Sequence, residues 1–170
     1  GSLTRTEGSD APNPETSPYT NEAYGFSFQY PATWSVEEVP GENQYGVMLA
    51  DAVVLSREPF RIVVQYQRKS ESAQRAWGGD LVPGGTGYAE AVLGEPVTLL
   101  GEETHKNLWA DDEGIKAIEV NTTGKITDLM LSITLADGSV TLIQDDEAKI
   151  VPASAIAALD QMLASFTTGE

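Results

Sequence analysis

The side chains in this sequence that could do chemistry are mostly carboxylates, and they gather in two runs, Asp111-Asp112-Glu113-Gly114 and Asp145-Asp146-Glu147. Calcium asks for several converging oxygens. Neither run has the EF-hand spacing of alternating acids, a glycine and a distal glutamate. Each is expected at a strand end, where the plain reading is a solvated turn whose charge discourages edge pairing. If the two loops meet in space, Asp111, Asp112, Asp145 and Asp146 are the residues that would hold calcium or another divalent cation. Zinc chemistry lacks ligands, because the chain has one histidine, His105, and no cysteine. The same shortage bears on catalysis. A nucleophile needs an orienting base, and a lone histidine on a strand is expected to be a surface residue. No Gly-x-Ser-x-Gly elbow, Ser-x-x-Lys pair or Walker loop occurs. Carboxylate pairs abound, but nothing singles one out as a glycosidase dyad. The sequence therefore offers no catalytic residue, and the expectation is that this is not an enzyme.

Two aromatics stand apart. Trp77 precedes Gly78-Gly79, and Tyr88 follows Gly87, on either side of a stretch that includes Pro83-Gly84-Gly85. That stretch reads as a mobile loop or insertion, where binding residues are often placed. Its glycines have no following lysine to reach a phosphate. Trp77 and Tyr88 either cap the core or anchor a ligand or partner.

Charge narrows the partners. With 26 acidic and 10 basic residues the net charge is −16, which argues against a nucleic acid, whose phosphates must be met by Lys and Arg. A cation or a basic protein suits such a surface; so does plain solvation. No apolar run reaches membrane-spanning length, Ala52 to Leu55 being strand-sized. Residues 1–20 are almost wholly small and polar, too poor in apolar surface to offset the entropy of ordering, and read as a disordered tether. The chain opens on Gly-Ser without a targeting segment, so one removed ahead of it is expected. Residues 21–170 then make one domain, of a size that needs no disulfide or metal staple and is expected to be monomeric.

The elements that would position these residues can be read from periodicity. Phe26, Phe28 and Tyr30 alternate with small or polar residues, as on a half-buried strand ended by Pro31. Phe60, Ile62, Val64 and Tyr66 form one face of another, after a turn at Arg57-Glu58-Pro59. Strands are also expected over 35–39, 47–49, 53–56, 97–100, 104–109, 115–122, 126–135 and 140–144. The Asp137-Gly138 pair favours a tight hairpin between the last two. Short helices are expected over 70–77 and 86–93. Pro152 suits the first turn of a closing helix, in which Ile156, Leu159, Leu163 and Phe166 recur at helical spacing. A twisted antiparallel sheet packed by a C-terminal helix and one or two short helices is an α+β layer arrangement.

The two ends resemble a known family. Tyr24-Gly-Phe-Ser-Phe-Gln-Tyr-Pro-Ala-Thr-Trp34 is similar to the opening motif of PsbP-like domains, in which a Gly-aromatic strand runs into Pro and then Trp. Leu163-Ala-Ser-Phe166 is similar to the end of their last helix. The resemblance implies a twisted antiparallel sheet with helices, as in the extrinsic PsbP subunit of photosystem II and bacterial lipoproteins of uncharacterised role. It also implies a non-catalytic accessory domain outside the cytoplasm, anchored at a membrane through its N-terminus and binding a protein partner there. The alternative from the residues themselves is a binding protein for a divalent cation or a small solute.

Overall fold

The computed structural model describes residues 15–44, 46–76, 92–139 and 148–168. The strands are β1 (Thr16–Asn21), β2 (Phe26–Pro31), β3 (Ser35–Val39), β4 (Asn43–Gln44), β5 (Val47–Leu49), β6 (Asp51–Arg57) and β7 (Phe60–Arg68). After a 3-10 turn over Lys69–Gln74 come β8 (Arg75–Ala76), β9 (Val92–Leu99), β10 (Glu102–Asp111), β11 (Gly114–Asn121) and β12 (Leu129–Asp137). Helix α1 (Ala153–Ser165) and β13 (Thr167–Thr168) follow.

Seven strands form the main sheet in the order β9-β10-β11-β12-β7-β6-β3, every pair antiparallel. β9 to β12 are a meander, and β12 pairs with β7 along its whole length, from Leu129 opposite Arg68 to Asp137 opposite Phe60. This makes β7 and β12 the centre of the sheet, which is why their side chains are buried on both faces. Leu129, Leu131, Ile133 and Leu135 lie on one face with Ile62, Val64 and Tyr66. Gln65, Gln67 and Ser132 are buried on the other. β9 and β10 are joined by Leu100 (φ 54°) and Gly101 (φ 81°). Positive φ at both positions is what a two-residue turn with the hairpin's twist demands, and leucine is an uncommon choice there.

Helix α1 lies on the first face. It buries Ala155, Ala158, Leu159, Met162 and Leu163. Leu159, Leu163 and Phe166 of the expected stripe are buried, Ile156 is only partly covered, and Met162 is enclosed beside them. Phe166, just past the helix, meets Phe28 with ring centroids 4.8 Å apart and Phe26 at 6.0 Å. The aromatic rings of the opening motif and of the closing one therefore form a single cluster. β13 then pairs with β2, so β2 lies between β1 and β13 in a small second sheet.

Four boundaries depart from expectation. Thr16 to Thr20, read as part of the tether, are strand: β1 pairs with β2 in register, and the ring of Tyr19 packs at 5.2 Å from Phe28. One aromatic side chain and a ladder of backbone bonds outweigh a polar composition. Of the helix expected over 70–77, a 3-10 segment forms and stops at Arg75, whose strand pairs with Met48. Val92 and Leu93, expected in a helix, are strand residues opposite Leu108 and Asn107. Ile126 precedes β12 in a turn, because Asp128 takes a left-handed conformation (φ 64°). Its carboxylate accepts hydrogen bonds from the Ser70 amide and hydroxyl at 3.1 and 2.8 Å.

Candidate functional site

Helix α1 has a recess at each end. Near its start, the β6–β7 turn and the helix enclose about 210 Å3 between Trp34, Arg57, Glu58, Phe60, Pro152, Ser154 and Ala155. Trp34 is buried: it is a wall of the core that also lines this recess.

Toward its end, α1 crosses β9 and β10. Thr104, Lys106 and Leu108 share the face of β10 that looks toward the helix. Leu108 packs on the core, and Lys106 reaches Asp160 of α1 at 2.5 Å, with Glu95 of β9 at 3.6 Å. The lysine side chain is 10% exposed, against 49% for Asp160 and 82% for Glu95. These three line a groove of about 290 Å3 with Pro96, Val97, Thr98, Leu163 and Ala164. Two carboxylates facing one ammonium leave it net negative. Its chemistry is that of a mixed apolar and anionic surface, able to hold a cationic side chain.

Of the residues singled out by sequence, Trp77, Tyr88, Asp145 and Asp146 lie outside the described residues. Asp111 ends β10 opposite Gly114, and Asp112 is exposed in the turn between β10 and β11. Their neighbour Glu113 has a partner within the fold: Lys116, 1% exposed, meets its carboxylate at 3.1 Å and donates to the Ala148 carbonyl at 2.7 Å. Part of this acidic run therefore neutralises a buried lysine. Among the described residues no three His, Asp or Glu side chains are grouped to hold a metal ion. His105 is exposed, opposite Pro96.

Three ionisable groups show how the fold sets its charges. Burial alone would raise the Asp137 carboxyl. The Ser139 hydroxyl at 2.6 Å, the Ser139 amide at 2.8 Å, the Lys149 amide at 2.9 Å and the Lys149 charge outweigh it, so the group sits below the usual aspartate value. Glu119, on the far face of β11, is pushed up by desolvation, with a partly offsetting hydrogen bond from Asn121. Tyr19 is raised well beyond the ordinary tyrosine value, first by burial and then because its hydroxyl donates to Glu38 at 2.7 Å.

Sequence reasoning missed the Lys106–Asp160 pair. The available signal was parity: a lysine between Thr104 and Leu108 on a strand falls on the core-facing side, where a charge needs a partner.

No protein-family model matches the chain, and no curated protein is similar to it. The solution structure of cyanobacterial PsbP (CyanoP) from Synechocystis sp. PCC 6803 superposes with a TM-score of 0.51 over 99% of each chain, at 16% sequence identity. The chain thus has a PsbP-like α+β fold.

Proposed function

We propose that this chain is a non-catalytic accessory domain that works outside the cytoplasm, held at a membrane surface by the segment ahead of Thr16, where it binds a protein partner. The observation that carries this reading is the PsbP-like fold along the whole chain. It agrees with the resemblance of the two terminal motifs, whose rings pack together at Phe28 and Phe166. The anchor is of lipoprotein type and the domain acts as a monomer. Among the described residues no helix is long and apolar enough to cross a membrane; in this reading attachment is through the N-terminal segment.

The test is made in the native host with the complete gene product carrying a C-terminal tag. The protein is expected to sediment with membranes, to be cleaved by protease added to cells stripped of their outer layers, and to give a reproducible cross-link to one protein. Recovery of intact protein from the soluble cytosol would overturn the reading.

A further inference from the structure

We propose that β9 and the groove behind it dock an extended, lysine- or arginine-bearing segment of a protein partner, which adds to the main sheet as a further strand. Among the described residues, β9 has a neighbour on one side only. Every second residue of such an edge turns its N–H and C=O away from the sheet. Edges are normally blunted by charge, proline or a bulge. The opposite edge, β3, is blunted by Glu37 and Glu38. β9 carries Glu95, Pro96 and a register shift between Leu93 and Pro96 in its middle, which leaves its first two residues, Val92 and Leu93, 60% and 65% exposed, as the stretch open to pairing.

The chemistry next to this apolar edge selects the occupant. Glu95 is 82% exposed and Asp160 49%, and Lys106 offsets only one of the two charges. On a chain of net charge −16, that favours a cationic segment. A second copy of this chain would bring the same charge to the interface. In strand addition, backbone bonds supply affinity and alternate side chains supply choice. Here apolar side chains would lie on Val92 and Leu93, and a cation would enter the groove between Glu95 and Asp160. The inference rests on the interaction-domain reading above and narrows its partner.

The test titrates the isotopically labelled protein with a peptide of alternating lysine and valine, and with the same peptide N-methylated at alternate positions. Amide shifts are expected to be confined to residues 92–99 and to α1 around Asp160. The N-methylated peptide, Leu93→Lys and Glu95→Gln should each weaken binding by about fivefold or more, with an unchanged unfolding midpoint for the two variants. Shifts spread over the acidic surface, or equal binding of the methylated peptide, would overturn the proposal and show a general attraction between opposite charges. Failure here leaves the membrane location untouched; a cytosolic location would overturn that reading whatever the peptide does.

Discussion

Lys106 and Asp160 meet at 2.5 Å between β10 and α1, an almost fully buried ammonium held by a half-exposed carboxylate. The two sides of the pair are therefore not equivalent. Removing the carboxylate strands a desolvated charge, whereas removing the lysine returns Asp160 to water. Asp160→Ala is expected to cost about 1–3 kcal/mol, discounted from the range for fully buried pairs because Glu95 remains nearby. Lys106→Met should cost less, and the double variant less than the sum. Urea unfolding of the three proteins checks the order; equal losses would show that the pair is only a surface contact.

Asp137 predicts acid sensitivity. Its folded-state value is depressed, so its stabilising effect is fully present above the unfolded value, about 3.9, and is lost as pH falls through the lower folded value. Asp137→Asn should lower stability at neutral pH by about 1.5–3 kcal/mol, the range for hydrogen bonds to a charged group. It should also flatten the fall below about pH 4. Unfolding midpoints across that window are the measurement.

Glu119 predicts the opposite slope. Its folded value is raised, so folding is opposed once the unfolded chain ionises, above about pH 4.3. Glu119→Gln keeps a group able to bond Asn121 and removes the charge. The variant should be more stable than the parent at neutral pH, with the advantage disappearing below about pH 4. A pH-independent difference would point to packing instead.

Gly41 marks a close approach of two backbones. A Cβ there would fall 1.9 Å from the Leu49 carbonyl oxygen, and the Gly41 amide donates to Asp51 at 2.8 Å. Gly41→Ala is expected to destabilise by about 2 kcal/mol or more, since backbone must move. Loss of the β4–β5–β8 ladder should show as faster amide exchange there, while β7 and β12 stay protected.

Calcium, magnesium and manganese are each expected to give small, equal shifts in melting temperature at fixed ionic strength, through screening of an acidic surface. A specific site would give a saturable shift, about 2.7 kcal/mol at a hundredfold excess over Kd. A shift of that kind with one ion, lost when Asp111 and Asp112 become Asn, would establish a cation site.

The fold was legible where alternation and burial coincide. Phe26, Phe28, Tyr30 and the Leu129–Leu135 series announce their faces because an apolar residue recurs at every second position. Helix α1 was legible from Pro152 onward, and Leu159, Leu163 and Phe166 of its stripe are buried; Ile156, a large residue, is left partly exposed, while small Ala155 and Ala158 face the sheet. Of the anionic groove only the inward parity of Lys106 was legible, not its partners. It joins Glu95, Lys106 and Asp160, residues brought together only by the docking of the helix on the meander, and no local pattern encodes that meeting. β1 was missed because its order comes from its partner β2 rather than from its own composition.

The pairing of β13 with β2 has a consequence for the timing of folding. Ser27 and Thr167, joined by hydroxyls 3.0 Å apart, are 140 residues apart in sequence. As the chain is made from its N-terminus, Phe26 and Phe28 wait without their last aromatic partner until Phe166 has been added. Closing a loop of that length is entropically slow. The small sheet is therefore a late seal, and until it closes the nascent chain carries an open strand edge beside uncovered rings.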